Sequence, residues 1–160
     1  MDNAARLLLL ATNLGCTRLV LSCIEFLETR ITMDNVGGIW CIANATRNDD
    51  LINVCVDFIS EHFDSLSQCI ELHSSAEPEY LAALLADCRL DTVNEELKLG
   101  CICSWLKAAL TVEERARRAG CFEHLLSIVD LTKVPSEYFV DFCLSGTVAA
   151  LPIEIKYVSL

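Results

Sequence analysis

Ten cysteines, three histidines and a few adjacent carboxylates are the side chains of this sequence that could do chemistry, and their spacing limits what kind. Cys101 and Cys103 form a C-x-C pair, whereas a zinc knuckle needs C-x-x-C pairs or a C-x-x-C followed by spaced histidines. His62, His73 and His124 are scattered, each in a stretch that accounts for it as a surface or helix-end residue, so no metal site is expected. Glu95–Glu96 and Glu113–Glu114 are acid pairs, but helical neighbours point about 100° apart, so they read as solvated helix starts and not as a joint acid–base site. Val36-Gly37-Gly38 lacks the following Lys-Ser/Thr of a phosphate loop, and neither a nucleophile elbow nor a dinucleotide fingerprint occurs. Arg115, Arg117 and Arg118 are offset by Glu113 and Glu114 and have no interleaved aromatics, which makes a poor nucleic-acid patch. Cys121, close to Arg117 and Arg118, is the one thiol placed for redox sensing, which needs an exposed low-pKa sulfur near cations. The expectation is a protein that catalyses nothing and takes no cofactor.

The elements that carry these residues are read from composition and period. A chain of 160 residues makes one domain or two small ones, and 53% hydrophobic residues suffice for a core. Twelve basic against 23 acidic residues leave a net charge of −11, which argues against nucleic acid or an anionic membrane as partner. With 3 Pro and 6 Gly there is little material for the turns of a β-sandwich. The apolar run Leu7–Ala11 is too short for a signal peptide, and no apolar stretch approaches the ~20 residues that span a bilayer. The thiols are therefore expected as small buried hydrophobes in a reducing compartment, the cytoplasm or else the nucleus; Cys23, Cys55 and Cys101 all sit in apolar helical patterns.

Helical periodicity runs almost throughout, which predicts an all-α fold of stacked antiparallel helical hairpins. Leu7, Leu8, Ala11 and Leu14 line a first helix that Gly15 stops, and Thr17 is expected to cap a second, with Leu19, Cys23, Phe26 and Leu27 on one face. Asp34 is a candidate cap for a helix over 36–46, and Asn48–Asp49 open the next. Pro78 suits a first helical turn, and Asn94 begins a helix carrying Trp105. Thr111 and Glu114 fit a capping box whose helix Gly120 interrupts, Leu125–Val129 make a short helix, and Pro135 opens the last. A period of two appears only weakly, over 153–157. Leu19-x3-Cys23-Ile24-Glu25-Phe26-Leu27 is echoed 32 residues later by Leu51-x3-Cys55-Val56-Asp57-Phe58-Ile59, with Ala11 and Ala43 at the same offset, as stacked hairpins that share a core would require.

Taken in order, the segments resemble the BACK domain of Kelch-like BTB proteins, preceded by the helical pair called the 3-box. Asn3-x3-Leu7-Leu8-x2-Ala11-x2-Leu14 and Cys23-x2-Phe26-Leu27 are similar to the two 3-box helices. Ala43, Leu51 and Phe58-Ile59-x-Glu61-His62-Phe63 are similar to the stretch that marks BACK. Leu81-x2-Leu84-Leu85, Leu90, Glu95-Glu96, Trp105, Leu125-Leu126-x2-Val129-x-Leu131 and Pro135-x2-Tyr138 follow in order. Asn13 stands where the family usually has an apolar residue, and Asp130 where a basic one is common. The resemblance implies a 3-box pair over 1–31, a BACK helical domain over 32–145 and a divergent tail over 146–160. No BTB domain precedes Asn3 and no Kelch repeat follows Cys143, so a fragment, a truncated product or a protein reduced to this module is expected.

The resemblance further implies a scaffold segment of a substrate adaptor for a cullin-3-type RING ubiquitin ligase, with BTB and Kelch domains in a longer chain. The cullin would be a weak partner without the BTB domain, and Leu7, Leu8, Leu10 and Leu14, with Leu19 and Cys23 behind them, would form its groove. Four leucines in a row, Leu7 to Leu10, cover every side of a helical turn, so at least one must face solvent or another domain. The alternative is a standalone acidic helical-repeat module that meets a basic partner and has no part in ubiquitination.

Overall fold

A computed structural model describes residues 2–138, and every element in it is helical. They are α1 (Asp2–Asn13), α2 (Thr17–Glu28), α3 (Val36–Ala45), α4 (Asp49–Glu61), α5 (Phe63–Leu66), α6 (Ile70–His73), α7 (Pro78–Leu85), α8 (Glu95–Lys107), α9 (Val112–Gly120) and α10 (Phe122–Leu126). Short 3-10 turns lie at Cys88–Leu90 and Leu131–Lys133. The all-α expectation holds among the described residues; the weak alternation over 153–157, Cys143, and the part of the expected last helix beyond Tyr138 lie outside them. The chain divides into two compact units, one ending at Leu66 and the other beginning at Ser67.

The first unit is built from two antiparallel hairpins, α1–α2 and α3–α4. The 32-residue echo is visible in the packing: Ala11 and Ala43, Cys23 and Cys55, and Leu27 and Ile59 are all buried. The connections match as well. Gly15 takes φ +67°, and Cys16 N–H bonds to Ala11 O at 2.9 Å. At the same offset Arg47 takes φ 53°, and Asn48 N–H bonds to Ala43 O at 2.9 Å. A left-handed residue just past a helix satisfies the last free carbonyls and reverses the chain tightly, and this fixes each hairpin.

Two caps fall elsewhere than the sequence suggested. Cys16, not Thr17, is the N-cap of α2 and makes no side-chain cap bond, because the stop at Gly15 delivers the chain into α2 with Thr17 already helical. Asp34 does not cap α3; Asn35 holds that position, but its side chain accepts from Thr32 N–H and donates to Arg30 O, which closes the preceding turn instead. Asn48 does cap α4, accepting from Leu51 N–H at 2.9 Å. At its other end His62 is the C-cap, stacked on Phe58 with 4.4 Å between ring centroids.

In the second unit, Pro78 stands in the first turn of α7, and Asn94 precedes α8. Trp105 is buried on α8, its indole N–H donating to Ala76 O at 2.7 Å. Thr111 Oγ1 accepts from Glu114 N–H at 3.1 Å, as a capping box requires, but the Glu114 carboxylate reaches back one residue further, to Leu110 N–H at 3.0 Å. Asp130 has a structural use: its carboxylate accepts from Thr132 N–H and Thr132 Oγ1 at the start of the second 3-10 turn. Glu95 ties that turn to α8, accepting from Asp130 N–H at 3.0 Å while pairing with the buried Lys98 at 3.1 Å. Gly100 allows a close approach to α8, since a Cβ there would stand 3.0 Å from the Tyr138 hydroxyl.

Candidate functional site

The residues with chemical potential are dispersed. Among the described residues, no three His, Cys, Asp or Glu side chains gather as a metal ion would need, and no helix is long and apolar enough to cross a membrane. Four of the nine described thiols, Cys23, Cys41, Cys55 and Cys101, are buried as expected of small core residues, while Cys16 and Cys88 are exposed and the others half-buried. Burial, helped by Cys41 and Glu28, pushes the Cys55 thiol up to about 12, and burial pushes Cys103 up to about 12 also. Such thiols stay protonated and unreactive near neutrality. The two cations beside Cys121 are committed elsewhere: Arg117 pairs with Glu77 at 2.7 Å, and Arg118 turns into the core.

Arg118, His73 and Lys98 are buried ionisable side chains that the sequence analysis did not place in the interior. The Arg118 guanidinium lies 4.8 Å from the Trp105 ring centroid, donates to Trp105 O and Ser74 O, and pairs with Glu114 at 2.5 Å. His73 ends α6, as a helix-end residue should, but its ring is wholly buried. One signal pointed to Arg118: it stands at i of an i, i+4, i+7 series completed by Phe122 and Leu125, both buried, so its phase is inward although its neighbours are solvated.

A candidate apolar surface runs along α1 and into the turn that follows it. Leu7, Leu10 and Leu14 fall at i, i+3 and i+7, the spacing of a single helical stripe, and are 40%, 54% and 67% exposed. Leu9 is exposed on another side of the helix, so three of the four consecutive leucines are open to solvent. Leu8 is wholly buried and anchors α1 in the hairpin. On α2, Leu19 is 39% exposed while Cys23, four residues on, is buried. Of the six residues singled out for a partner groove, Leu7, Leu10, Leu14 and Leu19 thus offer accessible apolar surface, and Leu8 and Cys23 support it from within. Phe26, also on α2, is exposed beneath the Arg30 guanidinium, 3.9 Å from the ring centroid. Asn13 stands apart from the stripe, about 100° around the helix from Leu14.

Ordered hairpins, a buried tryptophan on α8 and an exposed leucine stripe on the first hairpin describe an all-helical module. Residues 36–144 match the family described as BACK, "BTB And C-terminal Kelch", and the chain belongs to that family. Among curated relatives, Kelch-like protein 41a of Danio rerio is 26% identical over 125 residues, covering 78% of this chain and 20% of that protein. Kelch-like protein 35 of Homo sapiens is 28% identical over 140 residues, and its Mus musculus counterpart 29%, each covering 88% of this chain and 23% of the relative. The chain thus spans about a fifth of the length of these relatives.

Proposed function

We propose that this chain is the linking module of a Kelch-like substrate adaptor for a cullin-3-type RING ubiquitin ligase. Residues 1–31 act as the cullin-facing pair, 32–145 as the spacer towards a substrate-binding domain, and 146–160 as a divergent tail. Its role is to hold other parts in place rather than to transform a substrate, and its working compartment is the cytoplasm or nucleus. Family membership supports the adaptor reading. The observation that carries the cullin-facing part is the stripe Leu7–Leu10–Leu14, neighbouring apolar side chains left open to solvent where an exposed helix face is ordinarily polar. With Leu19 they offer an apolar seat for an extended or helical segment of the scaffold, on top of the contact a BTB domain makes.

The test is capture of cullin-3 by the 160-residue chain, alone and fused behind a BTB domain, with Leu7→Asp/Leu10→Asp in the same fusion. Binding is expected from the fusion, and the double substitution should weaken it by at least about tenfold, the ~1.4 kcal/mol that loss of a buried apolar contact readily supplies, with an unchanged melting curve. Equal binding by the substituted fusion would remove the groove, and no binding by either folded fusion would remove the cullin reading itself.

A further inference from the structure

The second unit carries a buried arrangement that the adaptor reading does not use. His73 is wholly buried at the end of α6, and its Nε2 lies 2.8 Å from Ser67 O. A carbonyl only accepts, so Nε2 carries the hydrogen and Nδ1 is a bare lone pair. Nδ1 has no hydrogen-bond partner, and neither has Nε of Arg118. The two side chains meet the same short piece of backbone: Arg118 donates to Ser74 O at 3.0 Å, one residue beyond His73, while Trp105 donates to Ala76 O. Trp105 and Arg118 thus hold the 67–76 segment against α8 and α9, while His73 ties the segment to itself through Ser67 O, and of the three only histidine is a residue type that titrates near neutrality.

We propose that His73 is an acid-operated latch of the second unit: its ring stays buried only while neutral, so its protonation opens the 67–76 segment and loosens it from α8 and α9. A proton on Nδ1 would create a buried N–H with nothing to accept it, and a second cation close to the buried guanidinium. The charged groups around it do not relieve this. On α9, Glu114 is bound to Arg118 and Leu110 N–H; on α6, the exposed Glu71 is bonded by Cys69. On α8, Lys107 is exposed, and Glu95 and Lys98 are paired with each other. Burial first, and the Arg118 charge in addition, hold the ring below its usual value, against the opposing Ser67 bond. The unfolded segment therefore binds the proton more readily than the folded one, and stability falls as pH drops below about 6.5, levelling off below the folded value.

The test is amide hydrogen exchange of the 160-residue chain from about pH 7.5 to about 5.5, corrected for the intrinsic pH dependence of exchange, with α4 as the reference region. The opening constant of the 67–76 amides should rise by up to about tenfold per pH unit below about 6.5, α4 should not follow, and His73→Gln, which keeps a donor for Ser67 O, should be flat. The same rise in His73→Gln would overturn the latch. Should that variant fail to fold, the wild-type ring decides by nuclear magnetic resonance. Protonation below about 6.5, together with loss of the 67–76 amides, is expected, and an ordinary titration that leaves those amides unchanged overturns it.

Discussion

The two hairpins of the first unit share a pattern and differ in what surrounds it. Positions 7 to 11 of α1 read Leu-Leu-Leu-Leu-Ala, and the positions 32 residues later on α3 read Ile-Trp-Cys-Ile-Ala. Ile39 and Cys41 are buried, whereas their counterparts Leu7 and Leu9 are exposed. On the second helices Leu51 is buried and Leu19 is not. The sequence supplies apolar side chains on every side of both first helices, but only α3 has neighbours enough to cover them. The lesson is that the same apolar pattern stabilises the fold in the second hairpin and is left facing solvent in the first.

That contrast can be broken most forcefully at Trp40, the counterpart of Leu8. Trp40→Ala should cost ~3–5 kcal/mol through lost transfer energy and the cavity left behind, and Leu8→Ala ~2–5 kcal/mol, since both are fully buried. Denaturant melts of the two variants measure this; a Trp40→Ala cost under about 1 kcal/mol would mean that α3 is not enclosed at this position. A sharper comparison pairs Leu51→Ala with Leu19→Ala. The first should cost ~2–5 kcal/mol and the second under about 1 kcal/mol, because Leu19 keeps much of its surface in water. Equal costs would erase the asymmetry on which the exposed stripe depends.

How much of this was legible depended on the kind of interaction. Helices and their partners were readable because burial of a wide apolar face imposes a 3.6-residue period, and the echo between Cys23 and Cys55 is that period repeated. Caps were less so. Thr17 and Asp34 are good cap residues by type, but a left-handed stop at Gly15 and a side-chain-closed turn at Asn35 set the phase in which the next helix begins. The exposed stripe was half-legible: four leucines in a row demand that some be uncovered, but only packing decides that Leu8 and Cys23 go inward while Leu10 and Leu14 stay out. Arg118 was half-legible too: its phase with Phe122 and Leu125 turns it inward, but the partners that let a guanidinium be buried, Ser74 O and Trp105 O, lie far along the chain.

The smallest effect tests the hairpin turns themselves. Gly15 and Arg47 hold equivalent left-handed positions, and only the glycine is free of the clash between Cβ and backbone that this region imposes. Nothing lies within 4 Å of where a Cβ on Gly15 would stand, so Gly15→Ala adds backbone strain alone and should cost about 1 kcal/mol. Arg47→Gly relieves the same strain but gives the unfolded chain more freedom, so the gain should be smaller, under about 1 kcal/mol. Melting midpoints should move in opposite directions for the two variants and nearly cancel in the double variant, since each turn closes its own hairpin. A loss of stability in Arg47→Gly would show that the arginine side chain contributes more at that turn than its backbone costs, and the two hairpins would then be equivalent in outline only.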